Sequence, residues 1–324
     1  MPHPTWQPDI LEGFEQTALS LPPAYDGPVE AVLVRRRSAS GDGRGVLYVH
    51  GYMDYFFQVH LADFFNERGW HFYAVDLRRH GRAWRAHQEP NQMRDIDEFL
   101  EDVAAAVEVI VTSEGVDQLI LNGHSTGGLV AALFAHRGRG REGVKGVFLN
   151  SPFLDVNLPD WQERWVEPVL AGLGRIGPDI PLAGLSPLYG ESLHEDYRGR
   201  WRYDLRWKPV EGFPTRAGWF GAIHRAQAEV ADGLDIPCPV LLLHAERSFR
   251  PESWTEEIRR ADIVLDVEDM KRLAPGLGAH VEVHAVPDGI HDLVLSEPPA
   301  RAHTFSLLGE WLETLEGNVD LTAS

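Results

Sequence analysis

The run Leu119-Ile120-Leu121-Asn122-Gly123-His124-Ser125-Thr126-Gly127-Gly128 sets a serine between an apolar strand pattern and a helical one. A serine at the tip of such a tight, strained turn projects its hydroxyl clear of the sheet, where it could attack a carbonyl. The residues two before and two after it come close together there, and Gly123 and Gly127 bring no Cβ to clash. The stretch from Gly128 to His136 reads as a helix with apolar positions at Leu129, Ala132, Leu133 and Ala135. Its N-terminus faces the serine and favours an oxyanion there.

A serine alone is a weak nucleophile. It needs a base, a group that orients the base, and donors for the oxyanion. The base is read as His291, in Val286-Pro287-Asp288-Gly289-Ile290-His291-Asp292-Leu293, a short glycine-containing loop after the last strand. His284, inside that strand, and His303, at the start of the last helix, fit less well. The acid should follow the strand Val240–His244, about four residues after the histidine, but Ser248 stands there. Farther on, Asp262 precedes an apolar pair and then Val267-Glu268-Asp269-Met270, which reads as the acid's loop moved downstream. Asp262 is therefore the first candidate, Asp266 the second and Glu246 the third. Asp266 has a competing role as helix N-cap. The oxyanion donors are read as the backbone amides of Thr126 and of Tyr52, the latter in the loop after His50-Gly51. His50 is read as a brace for that loop.

These residues need a frame. Strand patterns alternate with helical ones, which implies a mostly parallel sheet covered on both faces. The expected strands are 14–20 and 29–36, an antiparallel pair at the sheet edge, then 45–50, 70–76, 118–122, 145–150, 239–244 and 281–285. The expected helices are 58–67, 95–112 and 304–315, with a frayed polar tail over 317–324. From 153 to 236 the rhythm breaks. That stretch holds five of the ten tryptophans (Trp161, Trp165, Trp201, Trp207 and Trp219). It reads as a helical cap inserted into a core of 1–152 and 237–324. Its aromatics either line a pocket or form the cap's own core.

The composition sets outer bounds. The 324 residues suit one large α/β domain with an insertion. A net charge of −19 argues against nucleic acid or an anionic membrane surface as partner. The one cysteine, Cys238, lies between two prolines and reads as a small apolar residue rather than a thiol nucleophile. No intrachain disulfide is possible. The first residues show neither a secretory signal nor a membrane anchor, so the expectation is a cytoplasmic protein. Oligomeric state is left open.

The motifs Gly123-His124-Ser125-Thr126-Gly127-Gly128, His50-Gly51, Asp76-Leu77-Arg78-Arg79-His80-Gly81-Arg82 and Gly289-Ile290-His291-Asp292 resemble the α/β-hydrolase superfamily. Within it they resemble the serine aminopeptidase-like and monoacylglycerol lipase/lysophospholipase-like branch. The resemblance covers nearly the whole chain; the cap and residues 246–260 depart from it. It implies an α/β-hydrolase fold, a Ser-His-Asp triad, no cofactor, no metal and water as final acceptor. The activity it implies is hydrolysis of carboxylic esters through an acyl-enzyme on Ser125. The aromatic-rich cap suggests a monoacylglycerol, a lysophospholipid or a small hydrophobic ester. Two alternatives stay open: the same triad acting on peptide, thioester or carbon–carbon bonds, and a non-catalytic binding protein on this fold.

Overall fold

A computed structural model of the protein describes residues 4–41, 43–155, 172, 174, 176–182, 184 and 186–322, with backbone alone for 317–322. Its centre is a nine-stranded sheet: β1 (Gln7–Pro8), β2 (Glu15–Ser20), β3 (Glu30–Arg36), β4 (Arg44–Val49), β5 (His71–Asp76), β6 (Gln118–His124), β7 (Val144–Asn150), β8 (Val240–Ala245) and β9 (Val281–Val286). The spatial order is β1-β2-β3-β5-β4-β6-β7-β8-β9. β1, β2, β3 and β5 pair antiparallel, and every pairing from β5 to β9 is parallel. The expected edge pair is β2 and β3, but the short β1 lies outside it.

Strand alternation divides the core into two layers. Leu47 and Val49 of β4, Leu119 and Leu121 of β6, and Val147 and Leu149 of β7 face one apolar cluster. Val46 and Tyr48, Ile120 and Phe148 face the other. The first layer is closed by α2 (Asp97–Thr112), α3 (Thr126–Arg137) and α5 (Ala217–Ala231), the second by α1 (Val59–Glu67) and α7 (Pro298–Thr322). Two short helices, α4 (Leu188–Leu193) and α6 (Val267–Leu273), lie between these. α3 is buried on all sides from Thr126 to Ala135, so it has no polar face of the kind a surface helix shows.

Two expectations at the C-terminus are corrected. α7 begins at Pro298, because two prolines are well tolerated in a first helical turn where no intrahelical N–H bond is needed. It also runs past the expected end at 315 to Thr322, through Gly317, a glycine that weakens a helix without ending it.

Part of the expected cap lies outside the described residues, including Trp161 and Trp165. The described tryptophans of that stretch pack on residues of the loop after β4 and of α1. Trp219 stacks on Tyr52 at 4.0 Å, Trp207 meets the Tyr55 ring edge-on at 5.0 Å, and Trp201 stacks on His60 at 4.6 Å. None of these three lines the cavity over Ser125. No helix among the described residues is long and apolar enough to cross a membrane.

Candidate active site

Ser125 sits between β6 and α3 with φ +53° and ψ −119°, a backbone region that L residues rarely occupy. Such strain costs on the order of 1–3 kcal/mol and persists only where the surroundings enforce it. Here Ser125 N donates to Asn150 O at 3.1 Å, and Ser125 O accepts from Gly128, Leu129 and Phe153. A Cβ on Gly123 would collide with the Gly127 carbonyl, and one on Gly127 with the carbonyls of Val49 and His50. Both glycines are therefore demanded by close backbone approach.

His291 reaches this serine from the loop after β9. Its Nε2 lies 2.9 Å from Ser125 Oγ, and its Nδ1 lies 2.8 Å from Asp262 Oδ2. The Asp262 carboxylate can only accept, so Nδ1 carries the proton and Nε2 is free to accept from the serine hydroxyl. All three side chains are nearly out of solvent: Ser125 is 8% exposed, His291 3% and Asp262 0%. Asp262 is held in turn by the amides of Val264 and Leu265, each 2.8 Å from Oδ1.

The place of Asp262 has a clear backbone cause. Ser248 and Asp262 form a parallel bridge, with Phe249 N donating to Asp262 O and Asp262 N donating to Arg247 O. Three residues past the end of β8, the chain leaves Ser248, makes an excursion over 249–261, and returns beside the point it left. Asp262 thus occupies the neighbourhood of the sequence position that Ser248 fills. The Ser248 hydroxyl accepts from Val267 N at 2.8 Å and faces Asp266. Asp266 caps α6 by accepting from Glu268 N at 3.0 Å. Glu246 is exposed. Of the three acids read from the sequence, only Asp262 bonds to His291 among the described residues.

Thr126 is the first residue of α3, so its amide is one of those a helix leaves without an intrahelical acceptor. Tyr52 lies in the loop after β4. That loop passes so close to the serine that a Cβ on Gly51 would sit 3.1 Å from Ser125 Cβ. His50 donates from Nδ1 to Gly51 O at 2.8 Å and accepts from Leu77 N at 3.0 Å, which ties this loop to the end of β5. Burial lowers the pKa of His50 and of His124, whose ring lies 4.9 Å from that of His291.

Several contributors were not read from the sequence. Asp292, buried beside His291, accepts from Asn150 Nδ2 at 2.7 Å and Gln58 Nε2 at 3.3 Å, which pins the His291 loop to β7 and to the residue before α1. Tyr189 of α4 accepts from Asp292 N at 3.0 Å and presents its ring edge-on to His291 at 5.6 Å. Burial pushes its phenol well above the usual range. The Asp292 signal was available next to His291; the Tyr189 contact crosses a hundred residues of chain and leaves no local trace. Over the site lies a cavity of about 330 Å³ lined in part by Met53, Tyr189, Val210, Pro251, Ile263 and Val264. Among the described residues no group of three or more His, Cys, Asp or Glu side chains is gathered to hold a metal.

Comparison with known proteins agrees with this architecture. A monoacylglycerol lipase of Mycolicibacterium smegmatis is 32% identical over 148 residues, which cover 44% of this chain and 50% of that protein. The chain thus spans about half the length of this curated relative. A soluble variant of monoglyceride lipase from Saccharomyces cerevisiae superposes with a TM-score of 0.68 at 16% identity, over 97% of this chain and 96% of that one. Monoacylglycerol lipase from Paleococcus ferrophilus gives 0.64 at 21%, over 87% and 99%. Both show the α/β-hydrolase fold. Residues 43–299 match the family described as Serine aminopeptidase, S33. Over most of its length, and through every element that surrounds Ser125 and His291, the chain belongs to this S33 family of α/β-hydrolases.

Proposed function

We propose that the protein is a serine hydrolase that cleaves carboxylic esters through an acyl-enzyme on Ser125. The observation that carries this reading is the unbroken hydrogen-bonded line Ser125–His291–Asp262 at the floor of the cavity. Ser125 Oγ attacks the ester carbonyl as His291 Nε2 takes its proton. Negative charge on the carbonyl oxygen is met by the amides of Thr126 and Tyr52. Asp262 keeps the proton on Nδ1 and stabilises the imidazolium that forms. His291 then protonates the departing alkoxide. In the second half it takes a proton from water, which attacks the acyl-enzyme, and returns that proton to Ser125 Oγ as the Oγ–acyl bond breaks and the acid leaves.

For the substrate we infer a monoacylglycerol, a lysophospholipid or a small hydrophobic ester. The names of the M. smegmatis relative and of the two solved lipases support this, as do the apolar groups around the cavity. The same reading divides the chain into a hydrolase core of 1–152 and 237–324 and a substrate-covering cap of 153–236. The test is a series of p-nitrophenyl esters from acetate to laurate, assayed with the wild type and Ser125→Ala. The expected result is a preference for the longer acyl chains, abolished by the substitution. Turnover that survives Ser125→Ala would overturn the mechanism; hydrolysis of the shortest ester alone would overturn the substrate class.

A further inference from the structure

Four consecutive residues of the loop after β4 are each tied to one strap of the cap, residues 204–215. Tyr52 Oη donates to Thr215 Oγ1 at 3.2 Å. Phe213 N donates to Met53 Sδ at 3.2 Å. Lys208 Nζ donates to Asp54 Oδ1 at 2.7 Å. Asp204 N donates to Tyr55 Oη at 2.6 Å. The fit is close: Gly212 has φ +70°, and a Cβ there would lie 2.7 Å from Met53 Sδ. The Asp54 side chain is 2% exposed and that of Lys208 14%, so the ion pair is largely shielded from solvent screening.

The loop needs such a grip. Met53, next to Tyr52, is held at φ +51°, a left-handed conformation that a residue with a side chain adopts only when its surroundings enforce it. The strap also faces the other way, since Lys208, Pro209, Val210, Glu211 and Gly212 line the cavity over Ser125. One segment therefore touches whatever fills the cavity and holds the loop that carries the Tyr52 amide.

We propose that this strap is the element that aims the Tyr52 amide at the oxyanion, with Lys208 as a positioning residue acting through Asp54. The proposal rests on the Ser125 reading above. It makes the oxyanion site a joint product of core and cap: displacing the strap lets the strained Met53 relax and swings the amide out of line. Loss of an oxyanion donor lowers kcat by about 100- to 1,000-fold, and a misaimed one costs a part of that.

The test compares the wild type with Lys208→Met, Lys208→Arg and the double variant Lys208→Met/Asp54→Asn. Methionine keeps an apolar stem of similar length, and the double variant avoids leaving a buried carboxylate without its partner. Each is assayed on a p-nitrophenyl ester and on the matching thionoester, whose sulfur accepts hydrogen bonds poorly and so gains little from an oxyanion site. The expected result is a fall in kcat of about tenfold to 100-fold for Lys208→Met and for the double variant, with KM within about threefold. The ester-to-thionoester ratio falls with kcat, and Lys208→Arg restores both. A purely structural defect lowers both substrates alike and leaves the ratio as in the wild type; that result, or an unchanged kcat, would overturn the proposal. A wild type without ester turnover, or one indifferent to Ser125→Ala, would overturn the Ser125 reading itself and the strap's role with it.

Discussion

Replacing Asp262 by asparagine tests the arrangement around His291 at its least obvious point. In the structure Asp262 Oδ1 accepts two amides, Val264 N and Leu265 N, both at 2.8 Å. An asparagine keeps these bonds with its carbonyl oxygen, which turns its NH2 group toward His291 Nδ1. Two donors cannot face each other, so Nδ1 must become the acceptor and the imidazole proton moves to Nε2. Nε2 lies 2.9 Å from Ser125 Oγ, and once protonated it can no longer take the serine proton. A wrong tautomer of this kind lowers kcat on the order of 10⁴-fold, or about 5.5 kcal/mol of barrier at about 1.4 kcal/mol per tenfold. Asp266→Asn is the control. It keeps an oxygen cap for Glu268 N, so it costs at most about 1 kcal/mol of stability and leaves kcat within about threefold. Both variants are assayed for ester hydrolysis and for thermal unfolding. A loss confined to Asp266→Asn, or an Asp262→Asn enzyme within about tenfold of wild type, would refute the reasoning.

Three further outcomes follow from the same geometry. Gly127→Ala drives a methyl group into the carbonyls of Val49 and His50; it should destabilise by about 3 kcal/mol or more, read as a lowered unfolding midpoint, and abolish ester turnover. Burial lowers the pKa of His50 and His124, so the unfolded chain binds more protons than the native one below about pH 6.5 and stability falls with acid. Each histidine that stays neutral costs up to about 1.4 kcal/mol per pH unit below that point, and denaturant titrations at neutral pH and about one unit below pH 6.5 check it; a flat or rising stability would contradict it. Burial pushes the Cys238 thiol up to about 11, so a thiol reagent should leave the native protein unlabelled until it unfolds, and Cys238→Ala should keep full kcat.

The parts of the site that were legible in the sequence are those whose signals are local. The serine turn shows itself because strand, glycines and helix are contiguous from Leu119 to His136. His291 shows itself because it follows a strand in a glycine-containing loop. Asp262 was harder. Its distance from β8 conceals that Ser248 and Asp262 lie side by side, and only the shape of its own surroundings, an aspartate before an apolar pair and a helix, gave it away. Nothing local distinguishes Asp54 from any loop aspartate, because its partner Lys208 is far along the chain. The same holds for Tyr189, which meets Asp292 across 103 residues of chain. The tryptophans between 153 and 236 illustrate the opposite limit. Composition announces that Trp201, Trp207 and Trp219 matter, yet it does not say that they pack on His60, Tyr55 and Tyr52 rather than line the cavity.

The central claim is that Ser125 is an activated nucleophile, and covalent labelling tests it most directly. The folded protein is treated with a fluorophosphonate and its peptides are mapped by mass spectrometry, alongside His291→Ala. The account predicts a single adduct on Ser125 in the wild type and almost none in the variant, because the hydroxyl reacts only when Nε2 takes its proton. A folded wild type that stays unlabelled, or an adduct on a different serine, would contradict it.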